Sequence, residues 1–233
     1  MKKIVLVLFL SISLFAVDLI KLPIVGIEVM HTYLDGQTEE ITIQREVDEV
    51  CMQIPINVEM IQSKDLASEN VNSKCKKTFV TTKGLIQPLK LQKGVTTVAE
   101  IEVLDFILNK SSKNPSKNIL VDSRKSDWFN SGTIPSAINI PFDELEYDEE
   151  FEEEYQRAYK NLGVKILGKN KFDFTNAKTV LFFCNGSWCS QSPRAIKMLI
   201  RFGYPEEKIL WYRGGIAAWA GVSLSLTKNM ETK

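Results

Sequence analysis

The sequence predicts an α/β fold, a parallel β-sheet flanked by helices, preceded by a small β-rich N-terminal region. Three observations carry that reading. Short apolar strands alternate with helical stretches through the second half of the chain, the pattern of a sheet covered on both faces. Leu181 to Pro193 reads LFFCNGSWCSQSP: an apolar strand ending in Cys184, a loop of small and polar residues, then Ser192-Pro193 opening a helix. Near the N-terminus, Asp35-Gly36 lies between two stretches of alternating apolar residues, a strong hairpin turn signal.

Met1-Lys2-Lys3 and the apolar run Ile4 to Ala16 have the charged start and short apolar stretch of a secretory signal peptide. Residues 1–16 are therefore expected to be removed and the mature protein to be periplasmic or otherwise exported. The run is too short for a comfortable membrane span, so no stable span is expected if the signal is cleaved. Ile24 to Leu34 and Glu40 to Val47 read as the two strands of the hairpin, within a β-rich region over 17–92. Between Cys51 and Gln92 no firm periodicity appears.

The pattern changes at Gly94. Thr97 followed by Glu100 has the spacing of a capping box, and Val98, Ile101, Leu104 and Leu108 continue at helical spacing, so a helix is expected to run to about Asn109. Asn118 to Asp122 is a short apolar strand ending in a charge, as buried parallel strands do. Ser126 to Ser131 reads as a short helix stopped near Gly132, and Ala137 to Ile140 as a second strand. Asp143 to Tyr155 is dense in carboxylates, but Tyr147, Phe151, Tyr155 and Leu162 fall near one helical face, so the acids read as the wet side of an amphipathic helix. A strand over Thr179 to Phe183, a helix from Pro193 to about Phe202, a strand over Lys208 to Tyr212 and a helix after Gly214-Gly215 complete a domain over 93–222, with 223–233 as a tail.

Lysines and arginines number 29 against 29 aspartates and glutamates, and loss of Lys2 and Lys3 with the signal lowers the basic count to 27. The mature chain is then slightly acidic and has no basic tract, which argues against nucleic acid as a partner. The four cysteines show no Cys-x-x-Cys spacing and the only histidine is His31, read as a strand residue, so neither a metal site nor another cofactor is expected. Cys51 and Cys75 are expected to form a disulfide in an oxidising compartment. Cys184, placed at the mouth of a nest of backbone N–H groups and a helix N-terminus, is the first candidate for chemistry.

Three ordered motifs resemble the rhodanese-like sulfurtransferases over about Gly94 to Val222. The first is Val121-Asp122-Ser123-Arg124 with Trp128, Gly132-Thr133-Ile134-Pro135 and Ala137-Ile138-Asn139-Ile140-Pro141. The second is the strand, Cys184 loop and helix, and the third is Leu210-Trp211-Tyr212-Arg213-Gly214-Gly215 with Trp219. The resemblance implies a rhodanese-like parallel sheet in which Cys184 takes sulfane sulfur from a small donor, carries it as a persulfide and passes it to a thiol or other thiophilic acceptor. It implies that the backbone of Asn185, Gly186, Ser187, Trp188, Cys189 and Ser190 cradles the anion and that Asp122 and Arg124 brace the loop from beneath. Arg194 and Arg213 are candidate substrate-binding residues.

This chain departs from the pattern in ways that bear on substrate. Residues 185–191 carry no charge where family loops often carry Arg or Lys, which argues against thiosulfate as the natural donor, and Thr133 stands where many members have His. Tyrosine-phosphatase chemistry is disfavoured, because the position that needs an Arg to clamp phosphate holds Ser190. Cys189 lies in the same loop as Cys184 and has two readings: a thiol that resolves or relays what Cys184 carries, or a small apolar residue packed under the loop. Trp188 either walls the pocket or anchors the loop. Two rivals to sulfur transfer stay open, a thiol–disulfide redox or sulfur-sensing protein using Cys184 and Cys189, and a catalytically silent module holding a protein partner through the N-terminal region.

Overall fold

The computed structural model describes residues 26–44, 48, 50, 72, 74 and 85–228. The expected signal peptide and the Cys51–Cys75 disulfide lie outside the described residues. At the N-terminal end, β1 (Ile27–Thr32) and β2 (Thr38–Ile43) pair antiparallel with Ile27 opposite Ile43 and Thr32 opposite Thr38. Asp35-Gly36 makes the turn as expected. Gly36 takes φ +84°, and the Tyr33 N–H donates to Gln37 O at 2.8 Å to close it.

The central sheet is parallel throughout, with five strands in the order β3 (Thr96–Val98), β9 (Ile209–Tyr212), β8 (Thr179–Phe183), β4 (Asn118–Asp122), β5 (Ile138–Asn139). Period-two alternation divides β8 between two cores. Val180 and Phe182 face one side with Val121, Trp211, Tyr159, Ile196 and Leu199, whereas Leu181 and Phe183 face the other with Leu120, Tyr212, Trp219, Val103 and Leu104. Helices α3 (Glu152–Asn161) and α4 (Gln191–Arg201) cover the first face, and α1 (Glu100–Asp105), continued by a π-helical turn over Phe106–Ser111, covers the second with α5 (Gly215–Gly221). Short α2 (Ser126–Asn130) follows β4 and stops at Gly132, as the sequence suggests. No helix among the described residues is long and apolar enough to cross a membrane.

The N-terminal hairpin belongs to the second core. Ile27, Val29 and Ile43 are buried with α1 and α5, and Ser225 N–H donates to Gln44 O at 3.1 Å, joining β2 to the chain that follows α5.

The expected helix start at Thr97 is displaced. Thr97 lies in β3, where pairing with β9 claims its backbone, and its hydroxyl donates to Leu89 O. Ala99 takes the N-cap position instead, and its N–H donates to Glu102 Oε2 at 3.0 Å. Glu100, the residue expected to complete the box, accepts from the Tyr212 hydroxyl at 2.8 Å. The acidic stretch does form the exposed side of a helix that buries Tyr155, Ala158 and Tyr159, but α3 begins only at Glu152, after a 3-10 turn over Glu149–Phe151 that leaves Phe151 exposed. A hairpin of β6 (Lys165–Gly168) and β7 (Lys171–Asp173) was not apparent from the sequence. Its short strands show no clean alternation, and stacking of Phe172 on Tyr159, with centroids 4.5 Å apart, holds it against α3.

Candidate active site

Parallel sheets place their reactive loops at the carboxyl ends of the strands, and the two charged or thiol side chains of interest emerge there from adjacent strands. β4 ends in Asp122 and β8 leads into Cys184, with Asp122 paired to Phe183 in register. Ser123 N–H donates to Phe183 O at 3.0 Å, so the turn after β4 is tied to the start of the cysteine loop.

Beneath the loop lies a buried polar cluster. Arg124 Nε stands 3.0 Å from both carboxylate oxygens of Asp122, and Nη2 donates to Oδ2 at 2.7 Å. Nη2 also donates to Gly132 O at 2.7 Å, and Nη1 reaches Asn185 Oδ1 at 3.4 Å. Thr133 adds its hydroxyl to Asp122 Oδ2 at 2.7 Å, while Asn139 Nδ2 donates to the carbonyls of Asp122 and Arg124 at 3.1 and 2.8 Å. Arg124 is thus the link between this cluster and the loop, the position its sequence motif implies. Thr133 and Asn139 lie in the quoted motifs, but their partners depend on a turn that only the folded chain brings together.

From the other side, α5 holds the loop by its first-turn donors. Ile216 N–H donates to Cys184 O at 3.0 Å and Ala217 N–H to Asn185 O at 2.9 Å. This contact explains the second glycine of Gly214-Gly215. Gly215 has φ +56°, and a Cβ there would lie 2.2 Å from Cys184 O and 2.8 Å from Gly186 N. Trp188 anchors the loop: its ring lies so close to Gly186 that a Cβ at Gly186 would stand 2.5 Å from it.

Both loop cysteines are free thiols and both are buried, Cys184 with 2% and Cys189 with 8% of its surface exposed. They interact directly. Burial and the neighbouring Cys189 push the Cys184 thiol well above its usual range, with the backbone N–H and hydroxyl of Ser192 acting weakly the other way. The Ser192 hydroxyl makes no hydrogen bond of ordinary geometry, so that polar contact is a weak one. Cys189 is drawn down to about 7, first by the Cys184 S–H and then by the backbone N–H groups of Gln191 and Asn185. Cys184 Sγ also lies 3.8 Å from Cys189 O, and Cys189 Sγ lies 3.5 Å from Gln191 Oε1. Burial thus disfavours the charged form of Cys184, and the N–H groups of Gln191 and Asn185 favour that of Cys189.

The sequence placed the anion cradle on residues 185–190. Of these backbone groups, Asn185 N–H serves Cys189, and Cys189 N–H donates to Gly186 O at 2.9 Å. Helix α4 starts at Gln191, two residues before the expected start at Pro193, which puts Ser192 in its first turn beside Cys184. The two candidate arginines have other contacts. Arg213 donates through Nε and Nη2 to Gln87 O at 3.0 and 2.8 Å, and the Arg194 guanidinium lies 4.4 Å from the centre of the Phe142 ring. Gln87 N–H in turn donates to Ser187 O at 2.8 Å, so the segment before β3 is strapped to the cysteine loop, a contact across the chain that no local pattern announces. Among the described residues no cluster of three or more His, Cys, Asp or Glu side chains could hold a metal ion.

Residues 106–221 match the family model described as Rhodanese-like domain. Among solved structures, the chain is similar to a rhodanese-like domain from Anabaena sp., with 19% identity, 61% of this chain and 84% of that one covered, and a TM-score of 0.37. It is also similar to a rhodanese with anions from E. coli, at 20% identity over 48% of this chain and 98% of that one, TM-score 0.30. A third is an As-Sb reductase from Leishmania major, at 20% identity over 59% and 95%, TM-score 0.37. No curated protein matches the chain.

Proposed function

Because residues 106–221 form a rhodanese-like domain, we propose that the protein is a sulfurtransferase that carries sulfane sulfur as a persulfide on Cys184. The observation that carries this reading is the position of the thiol: Cys184 follows β8, braced by Arg124 through Asn185 and faced by the first-turn N–H of Ser192. A donor entering the loop meets the Cys184 thiol, whose proton passes to the departing donor as the sulfur is taken. Cys184 Sγ then attacks the sulfane sulfur, the donor leaves with the electron pair of the broken sulfur–sulfur bond, and the outer sulfur stays on Cys184. A thiophilic acceptor removes it in the second half of a ping-pong cycle.

The donor class follows from the charges around the loop. Arg124 is neutralised by Asp122, Arg213 is held by Gln87, and residues 185–191 are uncharged. A dianion such as thiosulfate would enter a buried loop that carries no charge of its own, which is costly. A low-molecular-weight persulfide or hydropolysulfide fits better. The test is the mass of the Cys184 peptide, taken without reductant after incubation with thiosulfate or with inorganic polysulfide. A gain of one sulfur that cyanide removes, larger with polysulfide, is expected; no gain with either donor would sink the reading.

A further inference from the structure

Cys189 is a second buried thiol beside the first, with Cys184 Sγ 3.8 Å from Cys189 O, and the transfer cycle above gives it no role. The loop brings the two sulfurs together from opposite ends: Cys184 follows β8, and the turn closed by Cys189 N–H to Gly186 O at 2.9 Å folds Cys189 back over it. Gly186, Trp188 and Gly215 fix that turn, since a side chain on either glycine would collide with the Trp188 ring or with Cys184 O. Cys184 meanwhile has only 2% of its surface exposed. An external thiol has to reach a sulfur that is almost wholly covered, whereas Cys189 is held beside it in the same loop, and a nucleophile held in place gains a large effective concentration over one in solution.

We propose that Cys189 is the first acceptor, an internal resolving thiol that discharges the Cys184 persulfide as hydrosulfide. This rests on the sulfur-carrier reading above. In the step, the Cys189 thiolate attacks Cys184 Sγ, the bond from Cys184 Sγ to the outer sulfur breaks, and HS⁻ departs with that electron pair and the proton the persulfide carried. The sulfane sulfur is reduced by two electrons, and the two cysteine sulfurs are oxidised to the Cys184–Cys189 disulfide. A dithiol reductant then reopens the bridge by two exchanges, returns both thiols and leaves as its own disulfide. The net reaction of the protein is reductive release of sulfide from a persulfide or hydropolysulfide, and the process that must accompany it is a dithiol-regenerating one.

The experiment uses the full chain and its Cys189→Ser and Cys189→Ala variants. Each is incubated with inorganic polysulfide, freed of excess donor by rapid desalting, and followed for sulfide release and for the mass of the loop peptide without reductant. The wild type is expected to give about one equivalent of sulfide and a peptide two hydrogens lighter. Both variants are expected to keep one added sulfur on Cys184, with a persulfide lifetime at least about tenfold longer, and to yield thiocyanate when cyanide is added, which shows them folded and loaded. If the wild type holds its persulfide as long as the variants do, with no sulfide and no bridge, Cys189 is not an acceptor while the carrier reading stands. If neither wild type nor variants take up sulfur, both readings fall.

Discussion

Two polar regions lie within a few residues of one another at the carboxyl end of the sheet and are built in opposite ways. In the brace, Asp122 and Arg124 are buried, and their contacts run to each other, to Thr133, to Gly132 O and to Asn185. Towards the cysteine loop the pairing lapses: the hydroxyls of Ser123, between the two brace residues in sequence, and of Ser192, in the first turn of α4, are buried without an ordinary hydrogen bond among the described residues, and two buried thiols perturb each other in opposite directions. Buried polar groups are nearly always paired, so a region that pairs them all holds shape, and one that leaves them spare is available to a ligand or an intermediate. The brace supplies rigidity, and the loop supplies chemistry.

Substitutions in each region should separate along that line. Cys184→Ser is expected to lower sulfur uptake by at least about a thousandfold, since a serine hydroxyl is a far poorer nucleophile towards sulfur, while the urea midpoint stays close to wild type; an unchanged uptake rate measured by cyanolysis would break the comparison at its active side. Asp122→Ala should act through the fold. Leaving Arg124 buried without its carboxylate costs about 3–5 kcal/mol, read as a fall in the denaturation midpoint. Gly215→Ala stands between the two, because it forces a side chain into left-handed backbone and against Cys184 O. A loss of about 3 kcal/mol is expected, with sulfur uptake lost in the molecules that stay folded.

The pattern of spare and paired groups extends to the hairpin, where His31 is fully buried and neither ring nitrogen has a hydrogen-bond partner among the described residues. It lies edge-on to Tyr33 at 4.6 Å and near Phe129 at 5.9 Å. Burial pulls it down to about 4, against a smaller opposing pull from Glu39. The unfolded chain therefore binds a proton that the folded chain refuses. Stability is fully present above about 6.5 and is lost as the pH falls towards about 4, by about 2 kcal/mol. Urea unfolding at pH 7 and pH 4.5 should show that loss, and His31→Phe should remove it. The smallest effect expected is from Thr133→Val, about 1 kcal/mol, since Arg124 and the Asp122 backbone contacts remain.

Much of this could be read along the chain. The strands over Thr179 to Phe183 and Lys208 to Tyr212, the Asp35-Gly36 turn, the stop at Gly132 and the Gly214-Gly215 helix start are local patterns, each decided within a few residues by alternation or by a turn that needs glycine. The failures share a different cause. Thr97 and Glu100 have the spacing of a helix cap, but β9 takes the first for its edge strand and Tyr212 takes the carboxylate of the second. Gln87 joins the cysteine loop through Ser187 and Arg213, partners about a hundred or more residues away.

The sequence by itself determined β4, β5, β8 and β9 with the helices between them, though not β3 or the β6–β7 hairpin, and the strand end at which Cys184 stands. Apolar periodicity and turn chemistry are short-range properties, and short-range properties survive in a linear string. Only the tertiary structure decided what surrounds each of the two loop cysteines. A thiol's acidity depends on how deeply it is buried and on which N–H groups point at it. Those are set where β8, α4 and α5 meet, with the N–H groups of Asn185 and Gln191 acting on Cys189 and that of Ser192 on Cys184.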